Sequence, residues 1–174
     1  MKLSRPARRA TLVVHVVASA SWLGLTLGLL ALGATAASTG TPVTVEASVR
    51  AMKLLADWLL LPVAFLTLLS GLLLALGTQW GLARHRWVYT KFWLTLVTTA
   101  ATAFALRPGV NEAVDVVSAG GPLPDAGEVL FGPIVSLTAY VFMTVISILK
   151  PWGRTRRGRR LRVAAGRDRV RQAA

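Results

Sequence analysis

Residues 78–93 read TQWGLARHRWVYTKFW and stand between two long apolar runs. Three tryptophans (Trp80, Trp87, Trp93), two arginines (Arg84, Arg86), Lys91 and His85 crowd into this one short break. Indole rings favour the headgroup level of a bilayer, and basic side chains stay wet beside anionic lipid. The stretch therefore reads as a turn where the chain leaves a membrane and re-enters it. Trp80, Arg84, Arg86 and Trp87 are its expected membrane anchors, and Lys91, one turn further in, can snorkel toward the interface.

Reading outward from that turn gives four apolar segments. They cover about 11–37 (TLVVHVVASASWLGLTLGLLALGATAA), 54–77 (LLADWLLLPVAFLTLLSGLLLALG), 87–106 (WVYTKFWLTLVTTAATAFAL) and 129–149 (VLFGPIVSLTAYVFMTVISIL). A span of the hydrocarbon core needs roughly 20 apolar residues, and backbone groups in lipid must bond within their own segment, so these are expected to be helices. Composition agrees. Only 16% of the 174 residues are charged and 54% are hydrophobic, against roughly 25% charged in an average soluble domain. The mean hydropathy is +0.57. The expected fold is all-α, a four-helix transmembrane bundle over residues 1–150, followed by an Arg-rich cytoplasmic tail over 151–174.

The net charge of +13 is distributed in blocks. Lys2, Arg5, Arg8 and Arg9 precede the first span, Arg84, Arg86 and Lys91 mark the central turn, and ten basic residues against Asp168 follow the fourth span. The other two connections are different: Glu46 faces Arg50 and Lys53 in one, and Arg107 faces Glu112, Asp115, Asp125 and Glu128 in the other. Basic flanks stay in the cytoplasm, which predicts both termini inside, in a bacterial cytoplasmic membrane, with an even number of spans. A cleaved signal peptide ending near ATAAS is the alternative for the first segment. Its apolar run is longer than the roughly 7–15 residues of a signal core and carries His15 and Trp22.

Within the spans, polar residues recur at helical spacing. His15, Ser19, Trp22 and Thr26 share one face of the first, while Ala20, Gly24 and Gly28 share another. Small residues at that spacing let a second helix approach closely, so Gly24 and Gly28 are expected packing positions on a central helix. Gly71 and Pro62 play the same part in the second span, where Pro62 should also kink it. Lys91, Thr95, Thr98 and Thr102 line the third span, and Ser136, Tyr140, Thr144 and Ser147 the fourth. Most of these hydroxyls read as interhelical glue or as bonds back to their own helix. Asp57, four residues after Lys53, reads as one half of a structural pair. Thr41-Pro42 reads as a helix start outside the membrane.

His15 and Lys91 stand apart. Ionisable groups inside a bilayer are costly and face the bundle interior or water. Both lie about one turn in from the cytoplasmic side, with Ser147 at similar depth. They are the candidate cofactor- or ligand-binding residues, expected to reach one small ligand or water cluster with Ser147 or Tyr140 beside it. The competing expectation is that Lys91 points outward to the headgroups and His15 bonds locally.

HVVASASWLG at 15–24, LLLPVAFLTLLSGLLLAL at 59–76 and WGLARHRWVYTKFW at 80–93 resemble a family of small bacterial integral membrane proteins of unknown function, over about residues 8–106. More distantly, His15-x6-Trp22-x-Gly24 resembles the first helix of the four-helix membrane protoporphyrinogen oxidases and of the copper-resistance D proteins. Pro62 with Gly71, and Trp87-x3-Lys91, resemble features of the same oxidases. That resemblance implies haem or porphyrin chemistry, with His15 an axial ligand candidate and Lys91 a partner for a propionate or the substrate. The sequence departs from the oxidases at two places. TTAATAFAL at 98–106 lacks their further histidine, and no arginine follows soon after the first-helix glycine.

The absence of cysteine excludes disulfides, thiolate nucleophiles and Cys-based metal sites, and no metal site is expected. Walker-type, HExxH and GxSxG motifs are also absent. The tail reads as a binder of anionic lipid rather than nucleic acid. It lacks a sustained apolar face, so disorder or partial helix is expected there. The leading expectation is a non-enzymatic structural or accessory membrane component, able to form a homo-oligomer. The alternative is a haem- or porphyrin-handling redox protein using His15 and Lys91. A small-solute transporter is a weaker third class, since neither an inverted repeat nor a pair of broken helices is visible.

Overall fold

The structure is a computed structural model, described over residues 3–77, 82, 84–123, 125–150, 152–153, 155–156, 158–160, 163 and 171. It is helical, with no strand among the described residues. Four rods follow one another along the chain. The first is Arg5–Ser38. The second joins Pro42–Leu54, a π-helical stretch Leu55–Leu60, and Leu61–Gly77. The third joins Arg86–Ala101, a second π-helical stretch Thr102–Leu106, and Arg107–Ser118. The fourth is Ala126–Leu149, closed by Lys150 in the left-handed region at φ 46°.

Three helices are long and apolar enough to cross a membrane: Arg5–Ser38, Pro42–Gly77 and Gly127–Leu149. Large apolar side chains on their outer faces are exposed, among them Val13, Val17, Phe65, Leu69, Phe131 and Ile148. Patches of that extent need a lipid or protein covering, and the chain is a membrane protein on this evidence. The apolar part of the third rod is less apolar, because Lys91, Thr95, Thr98, Thr99 and Thr102 interrupt it.

Helix boundaries reach beyond the apolar runs. The first rod starts at Arg5, because Ser4 caps it through a bond from Ala7 N at 3.4 Å and Pro6 suits a first turn. The second starts at Pro42 as Thr41-Pro42 indicates, although the Thr41 hydroxyl makes no cap; its backbone carbonyl accepts from Thr44 N at 3.0 Å and Val45 N at 3.1 Å instead. The segment 107–118, expected as part of a connection, is helical. Val110, Ala113 and Val114 bury one face of it, while Asn111, Glu112 and Asp115 occupy others.

Each π-helical stretch lies just ahead of a proline, Pro62 or Pro108. A proline lacks the N–H that would bond the carbonyl four residues back, and its ring crowds that carbonyl. Widening the preceding turn accommodates both effects. At Pro62 the response is therefore a π-helical stretch.

The first rod packs against the second and the fourth, and the third closes the bundle against the second and fourth. Trp22, Leu29, Met52, Leu60, Ala64 and Val110 form the main core. Gly24 does not act as expected within the chain: a Cβ there would meet nothing within 4 Å, and one on Gly28 would make an ordinary contact at 3.7 Å with Leu55. The tight glycine of this helix is Gly33, where a Cβ would meet Leu130 at 3.1 Å and Val129 at 3.5 Å. The closest approach thus comes near the C-terminal end of the helix, where the fourth rod begins.

Candidate functional site

One end of the bundle collects the basic segments. Leu3 N bonds Gly77 O at 3.2 Å, tying the N-terminal arm to the end of the second rod. Thr155 N bonds Arg84 O at 2.9 Å, tying the tail to the central turn. The side chains of Arg84 and Arg86 are exposed. Trp80 lies outside the described residues, as does most of the tail beyond residue 160.

Just inside this end is a cavity of about 450 Å³ whose lining includes His15, Lys91 and Ser147. The residues that spacing placed at one depth on three helices therefore share one space. Tyr140 does not line it. Trp87, read as an anchor, does, and so does Arg8 from the first turn of the first rod. The rest of the wall is mainly apolar, with Leu12, Leu68, Leu72 and Phe92 its larger members.

Lys91 turns inward rather than to the headgroups. Its Nζ donates to Ser147 Oγ at 2.6 Å, and Ser147 Oγ donates to Met143 O at 2.6 Å. This connection holds the third rod to the fourth. An ammonium has three donors, and one hydroxyl satisfies only one of them.

The His15 ring crosses from the first rod to the second. Its Nδ1 lies 3.1 Å from Thr67 O and 3.0 Å from Ser70 Oγ. Ser70 Oγ itself donates to Leu66 O at 2.6 Å, so its proton is used and it accepts from the ring. Thr67 O can only accept. Both partners therefore assign the proton to Nδ1, and in the neutral imidazole the lone pair belongs to Nε2. Gly71 makes room for the ring: a Cβ there would come within 3.0 Å of His15 Cε1 and 3.5 Å of Nδ1. Beside it, Thr67 Oγ1 is buried and has no partner among the described residues.

The remaining hydroxyls of the polar stripes mostly bond back to their own helices. Thr26 donates to Trp22 O at 2.9 Å, Thr98 to Leu94 O at 2.8 Å, Thr102 to Thr98 O at 2.8 Å and Thr144 to Tyr140 O at 3.0 Å. His85 occupies the N-cap position of the third rod, its ring tilted 52° to that of Trp87 with centroids 6.5 Å apart; it does not line the cavity.

At the opposite end Asp57 forms its expected pair with Lys53 at 2.9 Å. It also bonds Arg107 at 2.5 Å, and Lys53 reaches Asn111. Arg107 and Asn111 had no signal in the sequence, because the helix that aligns them with Asp57 was read as a connection. Among the described residues there is no cluster of three metal-ligating side chains. Comparison of the chain with protein-family models, curated proteins and solved structures returned no match.

Proposed function

We propose that the protein is a multi-pass component of the bacterial cytoplasmic membrane, a four-span bundle with both termini inside. Its working part, on this reading, is the cavity at the cytoplasmic end, which holds a ligand as a non-enzymatic accessory site. The orientation is supported by the gathering of the N-terminal arm, central turn and tail at one end, since basic flanks remain cytoplasmic. On this reading the third rod joins the other three as a span, its threonine hydroxyls satisfied by their own backbone and its lysine tied to Ser147. The Arg-rich tail then lies against anionic lipid, and the exposed small face at Gly24 leaves space for a second copy.

The observation that carries the ligand-site reading is the convergence of His15 and Lys91 on one cavity, with Lys91 turned away from the headgroups. The four-span orientation has a direct test. A reporter active only in the cytoplasm should work when fused at Arg84 or after Lys150, and be silent at Thr39 or Pro124. Activity at Pro124 would overturn it.

A second reading is favoured by one specific feature, the His15 Nε2 lone pair with Nδ1 held by Thr67 O and Ser70 Oγ. Such a hydrogen bond on the far nitrogen orients a metal-ligating imidazole and raises its basicity. His15 and Lys91 would hold a haem there, the imidazole through Nε2 on the iron and the ammonium on a carboxylate. Bound haem would supply one-electron redox chemistry. With His85 outside the cavity, a second histidine ligand is not available from the described residues. The absorption spectrum of the detergent-purified protein tests this: a Soret band lost in His15→Ala supports it. A colourless protein after haem-supplemented expression removes it.

A further inference from the structure

The charges around the cavity are one-sided. Arg8, His15 and Lys91 line it, and no salt bridge to Arg8 or Lys91 is formed among the described residues. Every described acid, namely Glu46, Asp57, Glu112, Asp115, Asp125 and Glu128, belongs to the opposite end of the bundle. The ammonium uses one of its three donors on Ser147. A cation at this depth in lipid ordinarily pairs with a carboxylate or with backbone carbonyls, and here the chain offers a single hydroxyl. Thr67 Oγ1 is a further buried donor without a partner beside the same space. The walls around these groups are mainly apolar, leucines above all, with Trp87 and Phe92.

We propose that the cavity binds a single-headed amphipathic anion, an acyl chain ending in a carboxylate or phosphate. The head group is the missing counter-ion of Lys91, with Arg8 at the mouth steering it in from the headgroup level. The chain lies along Leu12, Leu68, Leu72 and Phe92. A volume of about 450 Å³ is within the range of small-molecule pockets, about 300–1,000 Å³. A neutral ligand of the same shape would leave the ammonium as poorly compensated as before, so the charge selects the head group and the apolar wall the body. This deepens the proposed ligand-site function and depends on it.

Trp87 on the cavity wall supplies the readout. The full-length protein in neutral phosphatidylcholine nanodiscs is titrated with dibromostearate, whose bromines quench nearby indoles. Saturable quenching is expected, and Trp87→Phe should remove most of it. Lys91→Met should raise the half-saturating concentration about tenfold or more, the loss of one charge-assisted bond, while Lys91→Arg should retain much of the affinity. The methyl ester should quench only weakly, and this comparison needs no variant should Lys91→Met fail to fold. A brominated lysophosphatidic acid, with one acyl chain, run in parallel identifies the preferred head: saturable quenching by either acid supports the proposal. If acid and ester quench alike and saturably, the cavity is a ligand site but the anion proposal falls. If nothing quenches saturably, the ligand-site reading falls with it.

Discussion

Gly71→Ala adds one methyl group, and the sign of its effect reports whether the His15 ring sits where the structure has it. In an ordinary helix interior, glycine to alanine stabilises by about 1 kcal/mol, because alanine has less backbone freedom to lose. Here the new Cβ would stand 3.0 Å from His15 Cε1 and 3.5 Å from Nδ1. The ring must give by a few tenths of an ångström, yet its Nδ1 is held on the same helix by Thr67 O at 3.1 Å and Ser70 Oγ at 3.0 Å. Overpacking costs about 1–3 kcal/mol, and a weakened interhelical hydrogen bond in a membrane about 0.6 kcal/mol more. Set against the helix gain, the expected net is a destabilisation of about 1–2 kcal/mol.

The control is the same substitution in a His15→Ala background. With the ring gone the clash is gone, and Gly71→Ala should then stabilise by about 1 kcal/mol. The coupling between the two positions is therefore expected to be about 2–3 kcal/mol, within the range seen for residues in contact. Equilibrium unfolding of the four proteins in mixed micelles with increasing dodecyl sulfate measures it. Equal stabilisation by Gly71→Ala in both backgrounds would refute the placement of the ring, and with it the assignment of the Nδ1 proton.

Two further outcomes are expected from the packing and the ion pairs. Gly33→Ala should lower the unfolding midpoint through contact with Leu130 and Val129, while Gly24→Ala should raise it or leave it unchanged in the monomer, since nothing lies within 4 Å; thermal unfolding in detergent at low protein concentration compares them, and the reverse order would restore Gly24 as a packing position. Asp57→Asn removes the partner of both Lys53 and Arg107 and should cost on the order of 1 kcal/mol, because these partly exposed pairs are screened; the loss should shrink as salt is raised during the same unfolding experiment, and a salt-independent loss would argue against an ionic origin.

The sequence was most legible where periodicity and charge act together. Apolar runs of spanning length led to the all-helical fold, and three of the runs sit on helices of the required length and hydropathy; the placement of Arg and Lys bore on orientation. Boundaries were less legible because helices outlast their membrane contact. The stretch 107–118 carries Pro108, Gly109, Glu112 and Asp115, all of which argue for a connection. It stays helical because Val110, Ala113 and Val114 still have a bundle to pack on and because the π-helical turn before Pro108 absorbs the missing hydrogen bond. Gly24 meets no neighbour within the chain for a related reason. Spacing locates a face, but which neighbour that face meets is a property of the assembled bundle.

The site divides in the same way. Helical phase was enough to set His15, Lys91 and Ser147 at one depth, since phase and depth are both functions of position along a helix. What phase could not supply was the direction of each side chain. A lysine one turn inside a membrane can extend outward to water or turn inward to a partner, and the residue 56 positions later that accepts its bond, Ser147, decides between them. The tautomer of His15 needed more still. It follows because Thr67 O can only accept and Ser70 has already spent its proton on Leu66 O, so both neighbours of Nδ1 are acceptors. With no acid at this end among the described residues, one nitrogen lone pair and one under-partnered ammonium line the same apolar space. A ligand that satisfies the ammonium needs negative charge, and a ligand that fills the walls needs an apolar body. If the cavity is the proposed ligand site, the geometry narrows its occupant by chemistry even though no motif in the sequence names it.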